Sequence, residues 1–153
     1  MVIFEFSRHN DDHDDPGPTG FDFGDMEVVG DLGSASSEDD GMGSMMIFVS
    51  VSMLLDELCT LVERGRGGFD YLGISSHFSL NFTLMKRRMA VRAGRVTIVD
   101  ADAGQVLDAV LQAANEFAAR ELPLLDADDG GRTDVEASIA SFSRAARRYA
   151  QAD

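Results

Sequence analysis

The densest set of potential ligands in this chain is His9-Asn10-Asp11-Asp12-His13-Asp14-Asp15, followed at once by Pro16-Gly17-Pro18. On an ordered helix His9 and His13 would share a face, and imidazoles among carboxylates are metal-ligand chemistry. The adjacent prolines and glycines deny that scaffold. Ligands on a loose backbone bind weakly and without selectivity, so a solvated acidic loop is the better reading, and no metal or cofactor is expected. A calcium loop counted from Asp12 finds Asp14 and Gly17 in place, but Pro16 replaces a ligand and Phe23 stands where the bidentate acid is required. Counted from Asp126, Asp128 and Gly131 fit, while Gly130 and Ala137 fail at those same two places.

Ser75-Ser76-His77 invites a hydrolase reading, but neighbours on a strand point to opposite faces, so Ser76 and His77 are poorly placed as nucleophile and base. The second glycine of a nucleophile elbow is also missing from Gly73-Ile74-Ser75-Ser76-His77. Cys59 has Asp56 and Glu63 for neighbours, which raise a thiol pKa and make a poor nucleophile. Gly65-Arg66-Gly67-Gly68 is preceded by a helical pattern and followed by a strand pattern, the reverse of a phosphate-binding loop, so it reads as a helix stop and a turn. No catalytic residue is assigned, and a non-enzymatic role is expected.

Charge is the strongest compositional fact. The chain of 153 residues has a formal net charge of −14, which repels nucleic acid and anionic lipid and attracts cations and basic proteins. Residues 1–45 carry a net −11, residues 46–100 a net +2 and residues 101–153 a net −5. Lys86, Arg87, Arg88, Arg92 and Arg95 form one basic island. With few aromatic residues among them and this net charge they are thin material for a nucleic-acid site. They read as a solvated turn, or as a dock for the chain's own acidic loop. The acidic residues Asp11, Asp12, Asp14, Asp15, Glu38, Asp39 and Asp40 are the candidate partner-binding set: clustered carboxylates speed encounter with a basic protein, although they also simply keep a protein in solution.

The elements that must carry these residues centre on Phe69 to Asp100. Phe78, Leu80, Phe82 and Leu84 alternate with His77, Ser79, Asn81, Thr83 and Met85, which predicts a strand with one apolar face. Lys86-Arg87-Arg88 reads as a turn, Met89 to Arg92 as a strand, Ala93-Gly94 as a tight turn and Arg95 to Val99 as a third strand of a meander. Gly73 predicts a bend or bulge before it. Val2, Phe4 and Phe6 predict an edge strand, Met26 to Val29 another, and the apolar run Met45 to Val51 a buried strand. Ser52 is a predicted N-cap for a helix carrying Leu54, Leu55, Leu58, Leu61 and Val62, with Gly65 at its left-handed end. Asp102 with Gln105, and Thr133 with Glu136, predict capping boxes for two more helices, the first ending before Pro123.

These patterns predict a single α+β domain over 1–153: an antiparallel sheet of about four to six strands, with a meander in the C-terminal half and three helices packed on one face. Segments 7–24 and 33–43 read as flexible and acidic, and 45–150 as a self-sufficient core; on one reading residues 1–44 are an extension. One cysteine and the lack of a basic, apolar leader at Met1 to Phe6 point to a reduced, cytoplasmic setting without a membrane span.

In its small size, its acidic bias, and residues such as Asp11 to Asp15 and Glu38 to Asp40, the chain resembles the immunity proteins that neutralise bacterial toxins. That resemblance implies a tight one-to-one complex with a basic partner. The basic island departs from it. Two other functions are kept open: a small-ligand or enzyme domain with His77, Asn81 and Thr83 in a pocket between sheet and helices, and a homodimeric structural or regulatory subunit joined through an uncovered sheet face.

Overall fold

The computed structural model describes residues 1–9, 17–39 and 41–152. In chain order the elements are β1 (Val2–Arg8), β2 (Phe23–Gly30), β3 (Ser34–Ser36), β4 (Met45–Met46), α1 (Ile47–Arg64), β5 (Gly67–Leu72), β6 (Ser79–Met85), β7 (Arg88–Ala93), β8 (Val96–Asp102), α2 (Ala103–Glu121), a short 3-10 turn at Leu122–Leu124, and α3 (Gly130–Gln151). The class is α+β, and the meander lies where the alternation predicts it: β5, β6, β7 and β8 are neighbours in sequence order, all antiparallel.

The strands form two four-stranded sheets instead of the single sheet expected. β1 and β3 flank β2 in the N-terminal sheet, and β4 pairs with β2 beyond the end of β3. The sheets meet where the turn after β2 abuts β8. There Leu32 N–H donates to Ile98 O at 3.0 Å, and the approach is so close that a Cβ on Gly30 would stand 2.2 Å from the same carbonyl oxygen. One contact of this kind joins two edges without making a ladder, because continuous pairing needs strands running side by side.

Both sheets turn their apolar faces to one core. Phe4 and Phe6 of β1, Met26 and Val28 of β2, and Tyr71, Phe78, Leu80, Phe82, Leu84, Met89 and Val91 are all buried there. Outward neighbours such as Ser79, Thr83, Met85 and Arg92 are exposed, as the two-residue period of a strand requires. Phe117 of α2 closes the core, meeting Phe6 at 6.5 Å and Phe48 of α1 at 5.2 Å between ring centres.

Several local expectations are corrected. Only Met45 and Met46 of the run Met45 to Val51 are extended; α1 begins at Ile47. An unbroken apolar run suits a buried helix as well as a buried strand, and Ile47, Phe48, Val51, Leu54, Leu55 and Leu58 then follow the helical period. Ser52 is therefore inside the helix, where its hydroxyl lies 2.6 Å from Ser138 Oγ on α3. Ser138 in turn donates to Asp56 Oδ1 at 2.8 Å. Gly65 does end α1 with φ 78° and its N–H on Leu61 O. Gly73 follows the end of β5 and closes the loop to β6 by donating to Phe78 O.

Asp102 precedes α2 without a side-chain cap bond. In place of Thr133, Asp129 caps α3, accepting from Gly131 N at 2.8 Å and from Gly20 N at 3.1 Å. The stretch 33–43, expected as a flexible loop, contains β3. No helix among the described residues is long and apolar enough to cross a membrane.

Candidate functional site

β2 is paired along one edge by two separate short strands, β3 opposite Glu27 to Val29 and β4 opposite Phe23 and Gly24. That leaves Asp25 and Met26 without a strand partner on this side, and buried backbone groups must be satisfied somehow. Ser37 does it. Its N–H donates to Met26 O and its Oγ accepts from Met26 N, both at 3.0 Å, while the same hydroxyl donates to Asp25 Oδ1 at 2.7 Å.

Asp25, only 7% exposed, is the hub of a wider network. Ser44 Oγ donates to its Oδ1 at 3.1 Å, and His9 Nε2 lies 2.5 Å from its Oδ2. Burial opposes ionisation of this carboxyl, but the hydrogen bonds from Ser37, His9 and Ser44, with the charge of His9, outweigh it and hold the pKa below the ordinary carboxylate value. Arg8 steadies the adjoining backbone: it donates to His9 O at 3.0 Å and to the buried Glu121 at 2.9 Å, which Arg120 also holds at 2.8 Å.

A serine, a histidine and an aspartate so close together raise the question of acyl-transfer chemistry. A relay needs the carboxylate on one ring nitrogen and the hydroxyl on the other. Here Ser44 Oγ, at 3.1 Å, and Asp25 both meet Nε2, so the cluster is a clamp and does not form that relay.

Beside the clamp the outer face of the N-terminal sheet is acidic. Glu5 stands directly opposite Glu27, and Ser7 opposite Asp25. Glu5, Asp25, Glu27, Ser36 and Glu38 line a shallow depression of about 150 Å³. No three of the His, Cys, Asp and Glu residues among those described are grouped to hold a metal ion.

Of the candidate partner-binding residues, Glu38 and Asp39 are exposed at the turn after β3, where Asp39 Oδ2 accepts from Ser36 N at 3.3 Å. Asp11, Asp12, Asp14, Asp15 and Asp40 lie outside the described residues, as does His13. His77, Asn81 and Thr83, expected in a pocket between sheet and helices, point elsewhere. His77 is exposed in the loop before β6, and Asn81 and Thr83 lie on the side of the sheet away from Leu80, Phe82 and Leu84 and hence away from the helices.

Two residues of the basic island, Arg87 and Arg88, are engaged locally. Arg88 reaches Asp100 across the β7–β8 ladder at 3.2 Å, and Arg87 stands 4.7 Å over the Tyr149 ring and donates to Ala152 O at 2.9 Å. Sequence patterning passed over Asp25, Ser37, Ser44, Arg8 and Glu121 altogether. Asp25 and Glu27 alternate with Met26 and Val28, which signals an outer face but cannot signal burial by serines 12 and 19 residues further along the chain.

No protein-family model matches the chain, and no curated protein and no solved structure matches it significantly.

Proposed function

We propose that this protein is a non-enzymatic binding module whose acidic N-terminal sheet engages and masks a cationic surface on another protein, in the manner of an immunity protein or antitoxin. The observation that carries the reading is the Asp25 clamp. One buried carboxylate ties down His9, just before the run Asp11 to Asp15, and also Ser37 and Ser44, which bracket Glu38, Asp39 and Asp40. His9, Ser37 and Ser44, far apart in sequence, thus meet at one carboxylate, next to the opposed Glu5 and Glu27. Like charges facing each other cost stability, and a basic partner relieves that cost while its own charge is neutralised.

The test is co-expression of the full chain with the product of the neighbouring reading frame, followed by mass and affinity measurements across a salt series. A one-to-one complex that tightens as salt falls, and that Glu5→Gln/Glu27→Gln/Glu38→Gln weakens about tenfold, is the expected result. Absence of a complex, or one indifferent to both salt and the triple variant, overturns the reading.

A further inference from the structure

The free edge of the C-terminal sheet borders a groove lined in part by Glu57, one of whose carboxylate oxygens has no hydrogen-bond partner among the described residues. β5 pairs with β6 in unbroken register from Gly67 opposite Leu84 to Leu72 opposite Ser79, and no other strand among the described residues adjoins it. Because Gly73 N–H donates to Phe78 O, the phase of the ladder follows: Gly67, Phe69 and Tyr71 exchange bonds with β6, and the N–H and C=O groups of Gly68, Asp70 and Leu72 face away from it. All three residues are exposed. Exposed edges are commonly guarded by charged side chains, proline or a bulge; β5 has one charge, Asp70, and neither proline nor bulge.

Alongside this edge, Asp56, Glu57, Thr60 and Arg64 of α1, with Gly68 and Phe69, line an open groove of about 320 Å³. Glu57 Oε2 is buried without a hydrogen-bond partner among the described residues, and burial pushes its carboxyl above the ordinary value. Arg64 sits at the Gly67 end, its Nη2 3.6 Å from where a Cβ on Gly67 would stand. A strand added beside β5 sets every second side chain over the inner face of the sheet, on the groove side. A lysine or arginine there can lay its aliphatic stem along the half-buried Phe69 and bring its charge to Glu57 and Asp56. The net charge of −14 favours a cationic segment over a second copy of this chain, whose own Asp70 and Glu57 would meet their like.

We propose that the β5 edge takes up an extended basic segment of another protein as an added strand, with a lysine or arginine of that segment paired to Glu57. This surface is separate from the acidic N-terminal sheet and stands without the function proposed above.

The probe is a blocked peptide of alternating lysine and valine, titrated into the full chain, with glutamate–valine and lysine–glycine peptides as controls. The expected result is saturable binding, slowed amide exchange at Gly68, Asp70 and Leu72, and binding about tenfold weaker in Glu57→Gln, which corresponds to about 1.4 kcal/mol. Asp70→Pro removes an outward N–H while leaving the backbone bonds to β6 in place, at the loss of the hydrogen bond that Asn81 Nδ2 donates to Asp70 Oδ1, and abolishes the binding; if that variant unfolds, Glu57→Gln and the exchange pattern decide. Glu5→Gln/Glu27→Gln/Glu38→Gln leaves the edge protection unchanged. Equal binding of the glutamate–valine peptide, protection confined to other amides, or no effect of Glu57→Gln overturns the proposal. So does a doubled mass of the free chain with the same amides already protected, which would make the edge a self-association surface.

Discussion

Glu5 on β1 and Glu27 on β2 occupy directly opposed positions of an antiparallel ladder, so two carboxylates face one another on the outer surface of the N-terminal sheet. Neither makes a hydrogen bond or ion pair with a described side chain that would offset the repulsion. Glu27→Lys turns the pair into an attraction and is expected to raise stability by about 0.5 kcal/mol at low ionic strength. Urea midpoints measured at low and high salt check this: the gain shrinks as salt screens the pair, and a loss of stability would show that Glu27 has a structural partner.

Asp25 carries the larger stake. Asp25→Asn keeps the shape but weakens the acceptor for Ser37, Ser44 and His9, and is expected to cost about 2 kcal/mol at pH 7. The pH dependence has a definite sign. The folded pKa is lowered from 3.8, so the ionised carboxylate binds fewer protons folded than unfolded at acid pH. Its stabilisation is fully present above that ordinary value and is lost as pH falls through the lower folded value. Thermal unfolding followed from pH 6 to pH 2 should show a shallower acid decline in Asp25→Asn than in the parent.

Cys59 is expected to react slowly with disulfide reagents. Burial, and then the negative charges of Asp56 and Glu63, outweigh Arg148 and Arg144 and push its thiol up to about 11. Because the thiolate is the reacting form, the rate should rise about tenfold for each unit of pH until it levels near that value. A plateau near pH 8 would contradict this environment.

Phe82 joins the two sheets in one core, stacking 5.1 Å from Phe69 of its own sheet and 6.4 Å from Phe4 of the other. Phe82→Ala is expected to cost about 4 kcal/mol, and the loss should appear at once in amides of both sheets. Exchange that accelerates in only one sheet would mean that the two unfold separately.

Much of the framework is local and was readable as such. The alternation of Phe78, Leu80, Phe82 and Leu84 foretells a strand with a buried face because side-chain direction reverses at each residue. Gly65 foretells a helix end because a left-handed residue there is easiest for glycine. The ambiguity of Met45 to Val51 has the same root in reverse: where every side chain is apolar, periodicity has nothing to contrast, and only the neighbours of Ile47 and Phe48 select a helix.

Contacts between distant segments leave no such trace. Where the two sheets meet is decided by how closely Gly30 approaches Ile98, and the burial of Asp25 follows from Ser37 and Ser44 arriving beside it from another part of the chain. The amino-acid order alone settles periodicity, turn chemistry and where the negative charge is placed, since these depend on residues a few positions apart. Which carboxylate is enclosed, and which strand edge stays open beside Glu57, depends on long-range packing, because burial and hydrogen-bond partners belong to a position in space and not to a residue type.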